Sequence, residues 1–205
     1  NPKTGQSLHH IPSKNDPYSM NNGSIYSIFK DTSHNLWIGT YAGGVNVSFA
    51  NSGDIELYRD GIGTINSLSY NVVTHFLEDK KGNLWIGTDG GGLNYLDRQK
   101  NLYTHYTSKN TNLVSDAIQS MAYDSKGNLW ASAWEGGLNK FNPNTGEFQS
   151  ITINDGLPNN NMISFLIDSK QRFWVGCFFS GLVLLDSNYK IKKIYNRDNS
   201  DLSEG

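Results

Sequence analysis

The sequence predicts an all-β fold, a β-propeller of four complete four-stranded blades, and three observations carry that reading. One phrase recurs four times: DTSHNLWIGTYAGGVN from Asp31, DKKGNLWIGTDGGGLN from Asp79, DSKGNLWASAWEGGLN from Asp124 and DSKQRFWVGCFFSGLV from Asp168. The Trp of each phrase, Trp37, Trp85, Trp130 and Trp174, follows the previous one after 48, 45 and 44 residues; a period in the mid-forties built from short strands is that of propeller blades. The chain is poor in aliphatics and holds 21 Gly and 11 Tyr among 205 residues, which suits many short strands and many turns.

The second repeat is the most regular and defines the blade. VVTHFLED (72–79), LWIGT (84–88), GLNYLD (92–97) and LYTHYT (102–107) read as four strands, and their short connections make an antiparallel meander. By the same pattern the blades span 21–59, 68–107, 113–153 and 158–196. The first strand of each should line the central channel and the fourth the rim. The DKKGN turn repeats an Asp at one position, and the expected role is local: the carboxylate bonds its own backbone two or three residues on while Gly82 or Gly127, or His34 or Gln171 in their place, adopts positive φ. Each repeat Trp should wedge against the neighbouring blade. The third and fourth repeats depart from the pattern, with Ala131, Ser132 and Ala133 for Ile, Gly and Thr, and with no counterpart in repeat four of Asn46, Asn94 and Asn139.

NPKTGQSLHHI at the start resembles NPNTGEFQSITI from Asn142, so residues 1–12 read as an orphan outer strand of a preceding blade, and 197–205 as the start of the next connection. A closed ring of this repeat needs about seven blades. The expectation is an open arc, a fragment of a larger propeller, forming one domain over 1–205 whose open ends pack against neighbouring propeller domains or a second copy.

The repeats resemble the two-component regulator propeller repeat, whose pattern reads roughly D-x-x-G-x-L-W-I-G-T-x-x-G-G-L-N, over nearly the whole chain. That resemblance implies a periplasmic sensor segment of an inner-membrane receptor of the hybrid two-component type found in Bacteroidetes, detecting glycan fragments, with any histidine kinase domain elsewhere in the parent.

Composition narrows the partners. The net charge of −2, with no basic cluster, disfavours nucleic acid and anionic membrane. No apolar run approaches a membrane span. The only cysteine, Cys177, reads as a small buried strand residue. The five His show no zinc spacing, so neither a metal nor a cofactor is expected. Arginines at unrelated repeat positions do not assemble the clusters that propeller enzymes use, and the segment reads as non-enzymatic.

Strand parity puts the turn after strand two and the inter-blade connections on one face. There the frame is constant while Tyr41–Ala42, Asp89–Gly90, Trp134–Glu135 and Phe178–Phe179 vary. Rings beside carboxylates and amides suit a sugar, whose C–H faces stack on aromatics while its hydroxyls need donors and acceptors. Tyr41, Asp89, Trp134, Glu135 and Phe178 are therefore the candidate ligand residues for an oligosaccharide, the alternative being a protein-interaction or dimerisation scaffold. His75 joins them because it replaces Ser27, Ser120 and Ser164 in the channel-side column.

Overall fold

A computed structural model describes residues 3–6, 10–13, 19–52, 54–61 and 66–202. Four antiparallel sheets follow one another along the chain, each with its strands in sequence order. The first holds β1 Ile25–Lys30, β2 Leu36–Thr40, β3 Gly44–Ser48 and β4 Ile55–Tyr58; the second β5 Val73–Glu78, β6 Leu84–Thr88, β7 Gly92–Asp97 and β8 Leu102–Tyr106. The third holds β9 Ile118–Tyr123, β10 Leu129–Ala133, β11 Gly137–Asn142 and β12 Glu147–Ile151; the fourth β13 Met162–Ile167, β14 Phe173–Cys177, β15 Gly181–Leu185 and β16 Ile191–Tyr195. A single capped 3-10 turn, Ile153–Asp155, interrupts the connection between the third and fourth. The innermost strands β1, β5, β9 and β13 touch in succession, and no comparable contact returns from the fourth blade to the first among the described residues. The molecule is an open arc of propeller blades.

Burial explains why the LWIGT strands are apolar at consecutive positions rather than alternating. β6 and β10 are buried along their whole length because each is covered on both faces by adjacent blades. Three clusters fill the three interfaces. Trp37, Val45 and Val47 of blade one meet Val73, Phe76 and Ile86 of blade two; Trp85 and Leu93 meet Ile118, Met121 and Leu129; Trp130 and Leu138 meet Phe165, Phe173 and Val175. Trp174 departs from the expectation that every repeat Trp is wedged. Among the described residues no further blade lies against it, and it is partly exposed, stacked on Tyr195 and covered by the Arg172 guanidinium.

The Asp turns fix the opposite end of each blade. Asp31, Asp79, Asp124 and Asp168 accept the backbone N–H four residues on, at 2.8, 2.9, 2.9 and 3.0 Å, and the last three also accept the N–H two residues on. The expected bond three residues on comes instead from the Asp carbonyl, which accepts from His34, Gly82, Gly127 and Gln171, with φ of 69, 80, 80 and 58° at those positions. The repeated carboxylate has a second task that spacing did not show: its other oxygen accepts the indole N–H of Trp37, Trp130 or Trp174 at 2.9, 3.1 and 3.0 Å. Blade two varies the scheme, with the Tyr95 hydroxyl, in place of an indole, donating to Asp79 at 2.8 Å. Burial pushes the carboxyls of Asp31, Asp79 and Asp124 up, but the converging donors outweigh it and hold all three below the usual carboxylate value.

Among the described residues near the N-terminus, Thr4–Gly5–Gln6 matches Thr145–Gly146–Glu147. Gly5 and Gly146 have φ of 67 and 74°, and the Gln6 and Glu147 N–H groups each reach a Thr hydroxyl at 3.3 Å. Residues 7–9 of the predicted outer strand, with residues 1 and 2, lie outside the described residues, as do 203–205 of the terminal connection.

Candidate functional site

One backbone bond recurs at the channel mouth in all four blades. The N–H of Tyr41, Asp89, Trp134 and Phe178 donates to the carbonyl just before the inner strand, of Ser24, Val72, Ala117 and Asn161, at 2.9, 2.9, 2.8 and 2.9 Å. This bond holds the turn after each second strand over the start of the innermost strand. The next residue is left-handed every time, with φ of 61° at Ala42, 128° at Gly90, 58° at Glu135 and 52° at Phe179. Such a conformation is costly for a bulky side chain, and Phe179 is 78% exposed while adopting it. The turn closes on Gly44, Gly92, Gly137 and Gly181, where an added Cβ would strike the carbonyl of Tyr58, Tyr106, Ile151 and Tyr195 respectively. The backbone is thus constant and its side chains are free to differ.

The inter-blade connections are tied to this frame by the repeat Asn. Asn46 accepts from the Asn21 N–H at 3.0 Å and Asn94 from the Ser69 N–H at 2.8 Å; Asn139 instead takes the Ser150 hydroxyl at 2.6 Å. In the fourth blade Val183 fills the position as a fully buried core residue.

A second recurring device escaped sequence reasoning. Each inner strand carries a bulge near the mouth, where the pairing skips one residue: Tyr26, Thr74, Gln119 and Ile163. Two of these re-aimed residues meet the loop residues. Tyr26 lies 5.4 Å from Tyr41, ring centre to ring centre, and the Gln119 amide donates to Asp89 Oδ1 at 3.2 Å. Thr74 turns to the adjacent blade and donates to the Ile118 carbonyl at 2.6 Å. In the sequence the bulge positions vary as freely as the loop pairs, a signal that lay in the first-strand column one residue before His75 and its counterparts.

Trp134, Phe178 and Phe179 form one aromatic patch, with centroids 4.9 Å apart for the first two and 4.1 Å for the last two. Trp134 is partly exposed, and Asp89 and Glu135 are exposed beside it in the ring of loops. His75 is half-buried, and burial holds its pKa below the ordinary histidine value against a smaller opposing effect of the Met121 backbone in the next blade. In the same column Ser27 ties β1 to β5 by donating to the Val73 carbonyl at 3.3 Å. Cys177 is buried, its thiol pushed up to about 11 by burial. Among the described residues no three His, Cys, Asp or Glu gather as metal ligands.

Residues 19–42, 67–90 and 156–179 match the family model described as two component regulator propeller. These three segments carry the two-component regulator propeller repeat. The third repeat, where Ala131–Ser132–Ala133 replaces Ile-Gly-Thr, falls outside the matched segments. The fold is shared with the extracellular domain of the putative hybrid two component system BT4673 from B. thetaiotaomicron at 24% identity and a TM-score of 0.71, over 83% of this chain and 24% of that one. It is shared with the corresponding domain of the putative system BT3049 from B. thetaiotaomicron at 23% identity and a TM-score of 0.54, over 92% and 30%. A catalytically inactive virginiamycin B lyase from Staphylococcus aureus, with quinupristin, shares it at 13% identity and a TM-score of 0.63, over 82% and 54%. The chain therefore spans between about a quarter and about half of these structures. No curated protein matches it.

Proposed function

We propose that this chain is a sensory module from the extracytoplasmic part of a two-component receptor, and that its channel-mouth face binds a glycan fragment. The observation that carries the ligand site is the fourfold mouth bond: it presents Tyr41, Asp89, Trp134 and Phe178 from four blades on an identical backbone frame. A frame held constant while its exposed side chains change is how a scaffold carries recognition. The repeat match and the likeness to extracellular receptor domains support the sensory and extracytoplasmic parts of the reading. No described helix is long and apolar enough to cross a membrane. In this reading the module acts by binding rather than by catalysis. A thermal-shift screen of glycan fragments tests it: binders should raise the melting temperature of the wild-type chain and not of Trp134→Ala, and a screen that yields no Trp134-dependent binder would refute the ligand site.

The scaffold reading has its own observation. Ile28 and Leu166, on the outer faces of the first and fourth blades, are 62 and 57% exposed, whereas Phe76, Met121 and Phe165, in the column of Ile28, are 4, 3 and 7% exposed. Exposed apolar faces of this kind associate. Light scattering should show self-association weakened by Ile28→Asp, and a monomer at high concentration would exclude it.

A further inference from the structure

Among the described residues the two ends of the arc differ in charge. The turns after the first and third strands carry eight cations, Lys100 and Lys190 among them, against the six aspartates Asp31, Asp54, Asp79, Asp124, Asp168 and Asp186, whereas the mouth-side loops carry seven carboxylates. The mouth-side loops hold three cations, Arg59, Lys109 and Arg197, and each follows an outer strand at the rim. The four loop pairs at the mouth contribute two charges, Asp89 and Glu135, both negative and both exposed. Their placement is built. Asp89 Oδ1 is engaged by Gln119, leaving Oδ2 without a hydrogen bond among the described residues. Glu135 is held in its left-handed conformation with its N–H on Asn161 Oδ1 at 3.2 Å. Around them stand the Tyr26–Tyr41 pair of blade one and the Trp134–Phe178–Phe179 patch.

Carboxylates accept hydrogen bonds from the hydroxyls of any neutral sugar, but a uronate or sulfate brought against them meets like charge, and Arg197, which lines a cavity with Phe179, has Asp198 on the same lining. We infer, on the glycan reading above, that the ligand of this face is an uncharged or amino-bearing glycan, with Asp89 and Glu135 selecting against acidic ones.

Two measurements on the 205-residue chain test this. The first is independent of any sugar: the fluorescence contributed by Trp134, taken as the difference from Trp134→Phe, is quenched by caesium and by iodide. Caesium should be the stronger quencher by about twofold or more after correction for intrinsic efficiency, the bias should shrink as salt rises, and the double variant Asp89→Asn with Glu135→Gln should abolish it. Both replacements keep size and an acceptor oxygen, so a folding defect would show in the melting curve. The second sets neutral oligosaccharides against acidic ones: galacturonan fragments with their methyl esters, and chitosan fragments with their N-acetylated forms, within the wider screen. Trp134-dependent binding confined to uncharged or amino-bearing members supports the inference, and the double variant should narrow the discrimination against acids by about 5- to 10-fold at low salt. Trp134-dependent binding of a uronate or sulfate as tight as its neutral form overturns the inference while the glycan reading stands. Iodide quenching equal to caesium overturns its electrostatic basis. Caesium preference with no glycan bound overturns the glycan reading itself.

Discussion

Replacing Trp85 by Ala should remove the centre of the interface between the second and third blades. Trp85 is 6% exposed, with its ring 4.7 Å from Tyr95, 5.6 Å from Tyr106 and 5.2 Å edge-on from Phe141 of the next blade. Burying about 200 Å² of ring at about 25 cal/mol per Å² is worth ~5 kcal/mol as an upper bound; large aromatic truncations in cores cost about 3–5 kcal/mol. The chain contains its own control, because Trp174 occupies the same repeat position but is partly exposed with no blade against it. Trp174→Ala should cost roughly half as much or less, since the buried area is smaller. Urea unfolding followed by circular dichroism reads both: at slopes of about 1–3 kcal/mol per M, Trp85→Ala should lower the midpoint by ~1 M or more. Equal shifts for the two variants, or an unchanged midpoint for Trp85→Ala, would refute the claim that these residues act by wedging one blade into the next.

The remaining expectations concern titration, hydrogen bonding and exposure. Asp124→Asn faces the Trp130 indole, the Tyr189 hydroxyl and the Asn128 amide with one acceptor fewer, and should cost about 2–4 kcal/mol at pH 7. Because the converging donors hold the folded pKa of Asp124 below the ordinary carboxylate value, its contribution is present above that value and lost as pH falls through the folded pKa. The acid limb of stability should therefore be shallower in the variant, and identical limbs would discount the carboxylate. His75 has its pKa lowered by burial, so the neutral ring favours the folded state and protonation opposes it; stability should fall as pH drops below about 6.5, and His75→Ser, the residue its column otherwise carries, should flatten the difference in melting temperature between pH 7.5 and 5.5. Acrylamide should quench two tryptophans, Trp134 and Trp174, and spare Trp37, Trp85 and Trp130, which are 2, 6 and 1% exposed. Quenching unaltered by Trp134→Phe would place that ring in the interior.

The sequence by itself determined the blades, because each is a local object: a period in the mid-forties, an Asp turn with a left-handed residue, and paired glycines recur inside one meander, and neighbouring strands pair within a few residues. It also located the loop pairs from Tyr41 to Phe179, since four aligned phrases separate a constant frame from variable positions. Tertiary structure decided what depends on a neighbouring blade or on register. The indole N–H that recruits the Asp carboxylate joins residues six apart across a turn, and pattern alone gives no reason for that pairing over a purely local one. The bulges that bring Tyr26 to Tyr41 and Gln119 to Asp89 are single-residue slips in strand pairing, invisible to an alternation that reads the same on either side of the slip. His75 was ambiguous in the sequence because a channel-side ring reaches either solvent or the next strand, and only its half-buried place near the Met121 backbone of the next blade settles which. Trp174 and Trp85 share one position in one repeat, yet burial separates them because only a following blade supplies the covering surface.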